Sequence, residues 1–294
     1  VIAEGDADVA ASSTGWSGSL EVVGASCLLP WGEAAAGLPG AAGRALPALP
    51  GFAMSRFSPL VVATARLLLT AESGASIGGG TTGIVLATLF GDSTTVDQHT
   101  RRQLRGLPHN PLFFYESVHS ACVGMISIEY GISGPISCLS LRREFTVEAL
   151  AAADLLLEDD AVERVVLIGA ELAPTERTSA VHRRWAAEGH REPLPVDDVG
   201  VALLVRRPAA DGSTASASST RSDEGSPGSR ASRGAPERPA TADPGLPVPT
   251  DSQRDRLGHL AGLAAIHSAL DRVHTADPTG PLLVRSTSES RRHP

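Results

Sequence analysis

The stretch "GPISCLSLRREF" (134–145) holds the arrangement in this chain that most resembles a reactive centre. A Gly-Pro turn leads into a β-prone run, two adjacent arginines follow, and a helix begins. Strand, tight turn and helix in that order present a nucleophile well, because a helix N-terminus favours negative charge. The residues at the turn are Arg142 and Arg143, and a guanidinium stays protonated and cannot attack. Cys138 lies five residues before Arg143, within the strand, where a thiol reads as a small buried side chain. Cys122, in the apolar run "SVHSACVGMISIEYG", reads the same way. With Cys27 they make three cysteines, too few for a disulfide framework and without the spacing of a metal site. All 25 Lys-or-Arg positions are arginine, so Schiff-base, lysine general-base and P-loop chemistry are closed to this chain. The bias fits a GC-rich genome.

The elements that would position these groups alternate between strand and helix. The runs 19–32, 78–91, 136–141, 163–171 and 200–207 read as strands. "GIVLATLFG" is continuously apolar rather than alternating, which predicts a strand covered on both faces. Helices are expected over 55–72, with Ser55 or Ser58 as cap and Pro59 in the first turn, and over 92–106, capped by Asp92 or Ser93. Further helices are expected over 117–131, small-residue-rich and apolar on most sides, and over 145–159. The stretch 33–53 reads as loop with short helical pieces. Residues 1–18 read as a disordered lead-in. Residues 208–250 are Ser, Ala, Pro, Gly and Arg with almost no large apolar side chains, and are expected to be disordered. A last helix over 255–273 and a strand over 280–288 follow.

Composition sets outer limits. Hydrophobic content of 42% supports a packed core, and 4% aromatic content makes that core mainly aliphatic. A net charge of −8 gives no footing for nucleic acid. No 18-residue apolar run is present, so no membrane span is expected. The acidic start lacks the order of a signal peptide, and a reducing cytoplasm is the expected location. The βα alternation predicts an α/β layered fold.

The order of motifs resembles the β-ketoacyl synthases of the thiolase-like superfamily, which condense acyl chains held on acyl carrier protein. "LEVVGASCLLPWG" resembles the family's opening strand and turn, and "TGIVLATLFG" its second strand. "SVHSACVGMISIEYGISGPI" resembles the small-residue helix and Gly-Pro before the nucleophile strand. "VERVVLIGAEL" places Gly169 and Glu171 as in the family, and "DDVGVALLVRR" resembles the strand that ends the N-terminal half. The resemblance covers about 20–207, with divergent synthase-like proteins of aryl-polyene and polyketide gene sets as the nearest kin.

This resemblance implies a thiolase-like layered fold (α-β-α-β-α) with a largely complete N-terminal half over 19–207. Residues 251–294 would be the remnant of a truncated C-terminal half. Counted from Gly134-Pro135, the nucleophilic cysteine falls on Arg143. "LGHLAGLAA" resembles the segment that carries the second family histidine, here His259, and the family lysine falls on Arg254. The His-Gly-Thr stretch of the first histidine is absent, and His109, His119, His182 and His190 lie in the wrong half to replace it. No cofactor and no metal are implied. Arg101, Arg102 and Arg105 are candidates for contact with acyl carrier protein. The resulting expectation is a non-catalytic partner, like a chain length factor, in a homodimer or in a heterodimer with an active ketosynthase through "PISCLSL". The alternatives are an acyl-thioester decarboxylase or acyltransferase using His259 and a polar residue such as Ser140, and a degenerate relic without activity.

Overall fold

The computed structural model describes residues 16–40, 45–71, 77–208 and 245–286. The expected disorder over 1–18 and 208–250 falls almost wholly outside them. Six strands form one mixed sheet in the order β3-β2-β4-β5-β1-β6. They are β1 (Ser19–Leu28), β2 (Thr82–Thr88), β3 (Ile136–Ser140), β4 (Arg164–Glu171), β5 (Val199–Arg206) and β6 (Leu282–Arg285). β2 runs parallel to both β3 and β4, while β5 and β6 each run antiparallel to β1.

Helices cover both faces. On one side α1 (Phe57–Ala71) and α4 (His119–Tyr130) pack over a core of Leu60, Val61, Leu68, Ile84, Leu86, Val123, Ile126 and Ile168. On the other side lie α5 (Phe145–Leu156), a 3-10 turn (Gly258–Leu260) and α8 (Ala261–Ala276). They close over Val85, Leu150, Leu167, Leu203 and Val284. β2 is buried at every position, as its unbroken apolar run predicts. The layers are therefore α, β and α.

The C-terminal segment, expected as the remnant of a second half, joins this same sheet. β6 pairs with β1 from Ser19↔Arg285 to Val22↔Leu282. Leu257, Leu260, Leu263 and Ile266 are fully buried, each contributing about 2 kcal/mol of apolar transfer. The expected single helix over 255–273 is broken in two. Its first part is α7 (Asp251–Leu257), capped by Thr250 with a reciprocal Gln253 bond, and Gly258 then turns the chain at φ 57°.

Three further helices lie outside these layers. α2 (Ser93–Leu104) starts where Asp92 accepts from the Thr95 amide, as its sequence predicts. α3 (Pro111–Ser117) and α6 (Glu176–Ala187) have no counterpart in the sequence reading. Their signals are present: Asn110 caps α3 with Pro111 in its first turn, and Thr175 and Thr178 form a capping box on α6. α4 also differs from expectation. It is not enclosed: only Cys122, Val123 and Ile126 are buried, and Ile128 is 84% exposed.

Candidate functional site at the β3–α5 elbow

The chain leaves β3 at Ser140, whose hydroxyl donates to the Leu89 carbonyl at 2.7 Å. The Leu141 amide bonds Thr88 O at 2.8 Å. These two bonds anchor the strand end to the turn after β2. Arg142, Arg143 and Glu144 then make the elbow, all three exposed. Glu144 sits at φ 44°, ψ 47° and is the only non-glycine residue with positive φ among the described residues. That conformation costs an L-residue about 1–2 kcal/mol. The count from Gly134-Pro135 points to Arg143, while the strained residue that immediately precedes the helix is Glu144.

The helix N-terminus is already occupied. The Phe145 amide donates to both carboxylate oxygens of Glu192, at 3.2 and 3.4 Å. Burial pushes the Glu192 carboxyl above its usual range, partly opposed by the Phe145 amide. A bound or developing anion at this amide would have to displace a side chain of the protein itself.

Phe145 is buried and its ring tilts against His259, with centroids 4.8 Å apart. Gly258 delivers that histidine. A Cβ there would lie 2.5 Å from the backbone of Pro193, Leu194 and Pro195, so only glycine lets the 3-10 turn pass so close. His259 N–H then bonds Pro193 O at 3.0 Å. The imidazole is buried, neither ring nitrogen makes a hydrogen bond, and Nε2 stands 3.4 Å from Glu171 Oε2. Glu171 at the end of β4 accepts from Thr88 Oγ1 (3.0 Å), Leu89 N (2.7 Å) and Phe90 N (3.2 Å). It therefore holds the β2–α2 turn against the β4 end.

In front of the elbow lies a pocket of about 440 Å³, lined by Arg142, Arg143, Trp185, His190, Arg191 and Glu192 among others. Phe90 stacks on Trp185 (5.4 Å, 2°), and the Arg142 guanidinium lies 5.4 Å from the same indole. His182 meets His190 edge-on and pairs through Nε2 with Glu192 O at 2.8 Å. His182 and His190, set aside on sequence as belonging to the wrong half, thus stand beside the elbow. Trp185 in the last turn of α6, and His190 and Glu192 in the loop after it, have no local signal for this site, because only the packing of α6 and that loop brings them to the elbow.

The remaining candidates lie elsewhere. Arg254 pairs with Asp251 at 2.6 Å, one turn back on its own helix. Arg101 and Arg105 are exposed at the end of α2, and Arg102 lies 5.6 Å over the Phe113 ring. Cys138 packs at the margin of the α1–α4 core, and burial raises its thiol pKa. Burial raises Cys27 and Cys122 to about 12, and the Cys122 thiol donates to His119 O. None of the three thiols is poised as a thiolate. Among the described residues no three His, Cys, Asp or Glu side chains form a metal site, and no helix is long and apolar enough to cross a membrane.

No protein-family model and no curated protein matches the chain. Among solved structures it is similar to the ishigamide ketosynthase/chain length factor, with TM-score 0.51 and 18% identity over 65% of this chain and 62% of that one. The chain has a thiolase-like, ketosynthase fold. Two other similar structures are a ketosynthase in complex with its chain length factor from Xenorhabdus doucetiae and a β-ketoacyl synthase from Burkholderia phymatum. The first has TM-score 0.48 and 20% identity over 65% of this chain and 80% of that one. The second has TM-score 0.49 and 18% identity over 65% and 59%. The chain thus spans less than two thirds of the ishigamide and Burkholderia proteins.

Proposed function

We propose that this chain is a ketosynthase-like protein of fatty-acid or polyketide-type biosynthesis that serves as the non-catalytic partner of an active ketosynthase, in the manner of a chain length factor. The observation that carries this reading is the elbow itself. It presents Arg142, Arg143 and Glu144 in place of a thiol, and the amide that would receive an oxyanion is bonded to Glu192. A condensing centre needs a thiolate and free donors at that point. The partner role is supported by β3, which is the edge strand next to β2. Its outer backbone edge is unpaired among the described strands, and its first residue, Ile136, is exposed. An intact pairing strand next to a centre without its nucleophile is what a supporting subunit requires. The ishigamide protein, which shares the fold, is described as a ketosynthase/chain length factor. Arg101 and Arg105 give the same subunit a basic contact for an acidic carrier protein.

The test is co-expression with ketosynthases encoded nearby, followed by gel filtration. Wild type co-elutes with one of them, and Ile136→Lys, which places a charge on the pairing strand, releases it without unfolding the chain. A stable monomer that binds none of them overturns the reading.

A second reading has one observation in its favour. His259 is buried against Phe145, its Nε2 faces Glu171 at 3.4 Å and its Nδ1 has no partner, so one ring nitrogen is left for a substrate carbonyl. An acyl-thioester decarboxylase working through His259 would turn over malonyl thioesters and lose that activity in His259→Ala. Absence of turnover removes it.

A further inference from the structure

We propose that the pocket in front of the elbow binds a small organic anion through a carboxylate or phosphate group, held by Arg142, Arg143 and Arg191. The inference rests on charge that the fold leaves unanswered. None of these three guanidiniums forms an ion pair among the described residues. The acids that share the pocket do not compensate. Glu188 pairs with Arg184 at 3.4 Å, Glu192 accepts only from the neutral Phe145 amide, and Glu148 on α5 feels Arg143 without forming an ion pair with it. That leaves Glu144 and Glu192 as the lining carboxylates without an ion pair, against three cations.

Three arginines without ion pairs around one cavity raise the positive potential there and favour a small anion, an attraction that weakens as ionic strength rises. His190 reports the same field. Its Nε2 is buried without a hydrogen-bond partner, and its pKa is lowered by burial and by the neighbouring His182, His259, Arg142 and Arg143. The pocket is also shaped for a ligand. Trp185 is fixed by Phe90 stacked on it and holds Arg142 over its ring. The guanidinium is thus pre-oriented, and its planar fork matches two oxygens of a carboxylate or phosphate. A volume of about 440 Å³ accommodates a metabolite rather than a bare ion. The anion does not need the α5 amide, because Glu192 keeps it.

This proposal holds whether or not the chain pairs with a ketosynthase. Its test uses the full chain at low ionic strength, titrated separately with inorganic phosphate and with malonate. Calorimetry and Trp185 fluorescence follow binding, and Trp185→Phe assigns the optical signal. At least one anion saturates with 1:1 stoichiometry, and which one binds tighter separates the phosphate source from the carboxylate source. The double variant Arg143→Gln/Arg191→Gln weakens binding about tenfold or more, while Arg272→Gln on the exposed face of α8 leaves it unchanged. All four arginines are exposed, so circular dichroism is expected to show each variant folded. No saturable binding of either anion by wild type up to tens of millimolar overturns the proposal. So does equal weakening by the double variant and by Arg272→Gln.

Discussion

Gly262→Ala gives a sharply signed prediction about how the C-terminal helix docks. Residue 262 lies in the first turn of α8, where that helix crosses α5. A Cβ placed there overlaps Thr146 Oγ1 and sits 2.9 Å from Thr146 Cβ and 3.1 Å from Cγ2. Ordinary carbon contacts are about 3.5–4.0 Å. Thr146 is fixed on a helix backbone and stiff at χ1, so the helices must separate by several tenths of an ångström. Overpacking of this kind costs about 1–3 kcal/mol. Helix propensity works the other way, since alanine is up to about 1 kcal/mol better than glycine in a helix interior. The balance is a destabilisation of about 1–2 kcal/mol, read as a lower urea midpoint at unchanged slope. Adding Thr146→Ala removes Oγ1 and Cγ2 and should recover at least half of it, giving a coupling of about 1 kcal/mol in the double-mutant cycle. A Gly262→Ala protein as stable as wild type, or more stable, would refute the close approach and with it the docking of α8 on α5.

Three other outcomes follow from the site. Glu171→Ala leaves the Leu89 and Phe90 amides and the Thr88 hydroxyl without their acceptor, and should lower unfolding free energy by about 3 kcal/mol in urea melts. Glu144→Gly relieves the left-handed backbone at the elbow at the cost of unfolded-chain entropy, for a net gain of about 0.5–1 kcal/mol; a loss would show that the strain is absent. The Glu192 carboxyl is raised by burial, so as pH rises the unfolded chain releases this proton before the folded one does. Stability from this group is complete below the ordinary glutamate range and is lost as pH climbs through the raised value. Glu192→Gln should therefore flatten the fall in stability between pH 4 and neutrality, measured by urea melts across that window.

Much of the scaffold is readable from local pattern. The unbroken run Ile84-Val85-Leu86-Ala87 predicts a doubly covered strand, and β2 is buried throughout. Asp92 or Ser93 is the expected cap of α2, and of the two it is Asp92 that accepts from the Thr95 amide. α6 carries little apolar periodicity to mark it, because its residues are largely polar, although Thr175 and Thr178 form a capping box at its start. The break at Gly258 has no local mark either, because a single glycine in a helical pattern is commonly tolerated. There it is required by a close approach to Pro193–Pro195, which no local signal encodes.

Residue types and order along the chain already decide that Arg142, Arg143 and Glu144 stand between β3 and α5, that no lysine is available, and that strands alternate with helices. These are local properties, set by side-chain chemistry and by the period of burial. Only the tertiary structure decides what surrounds the elbow. It brings Glu192 to the Phe145 amide, His190 and Trp185 to Arg142, and His259 to Glu171, pairs separated by 43 to 88 residues. It also places β6 and α8 on the same sheet as β1, across the segment outside the described residues. Such meetings depend on which buried faces find each other when the layers close, and no window of sequence contains both partners.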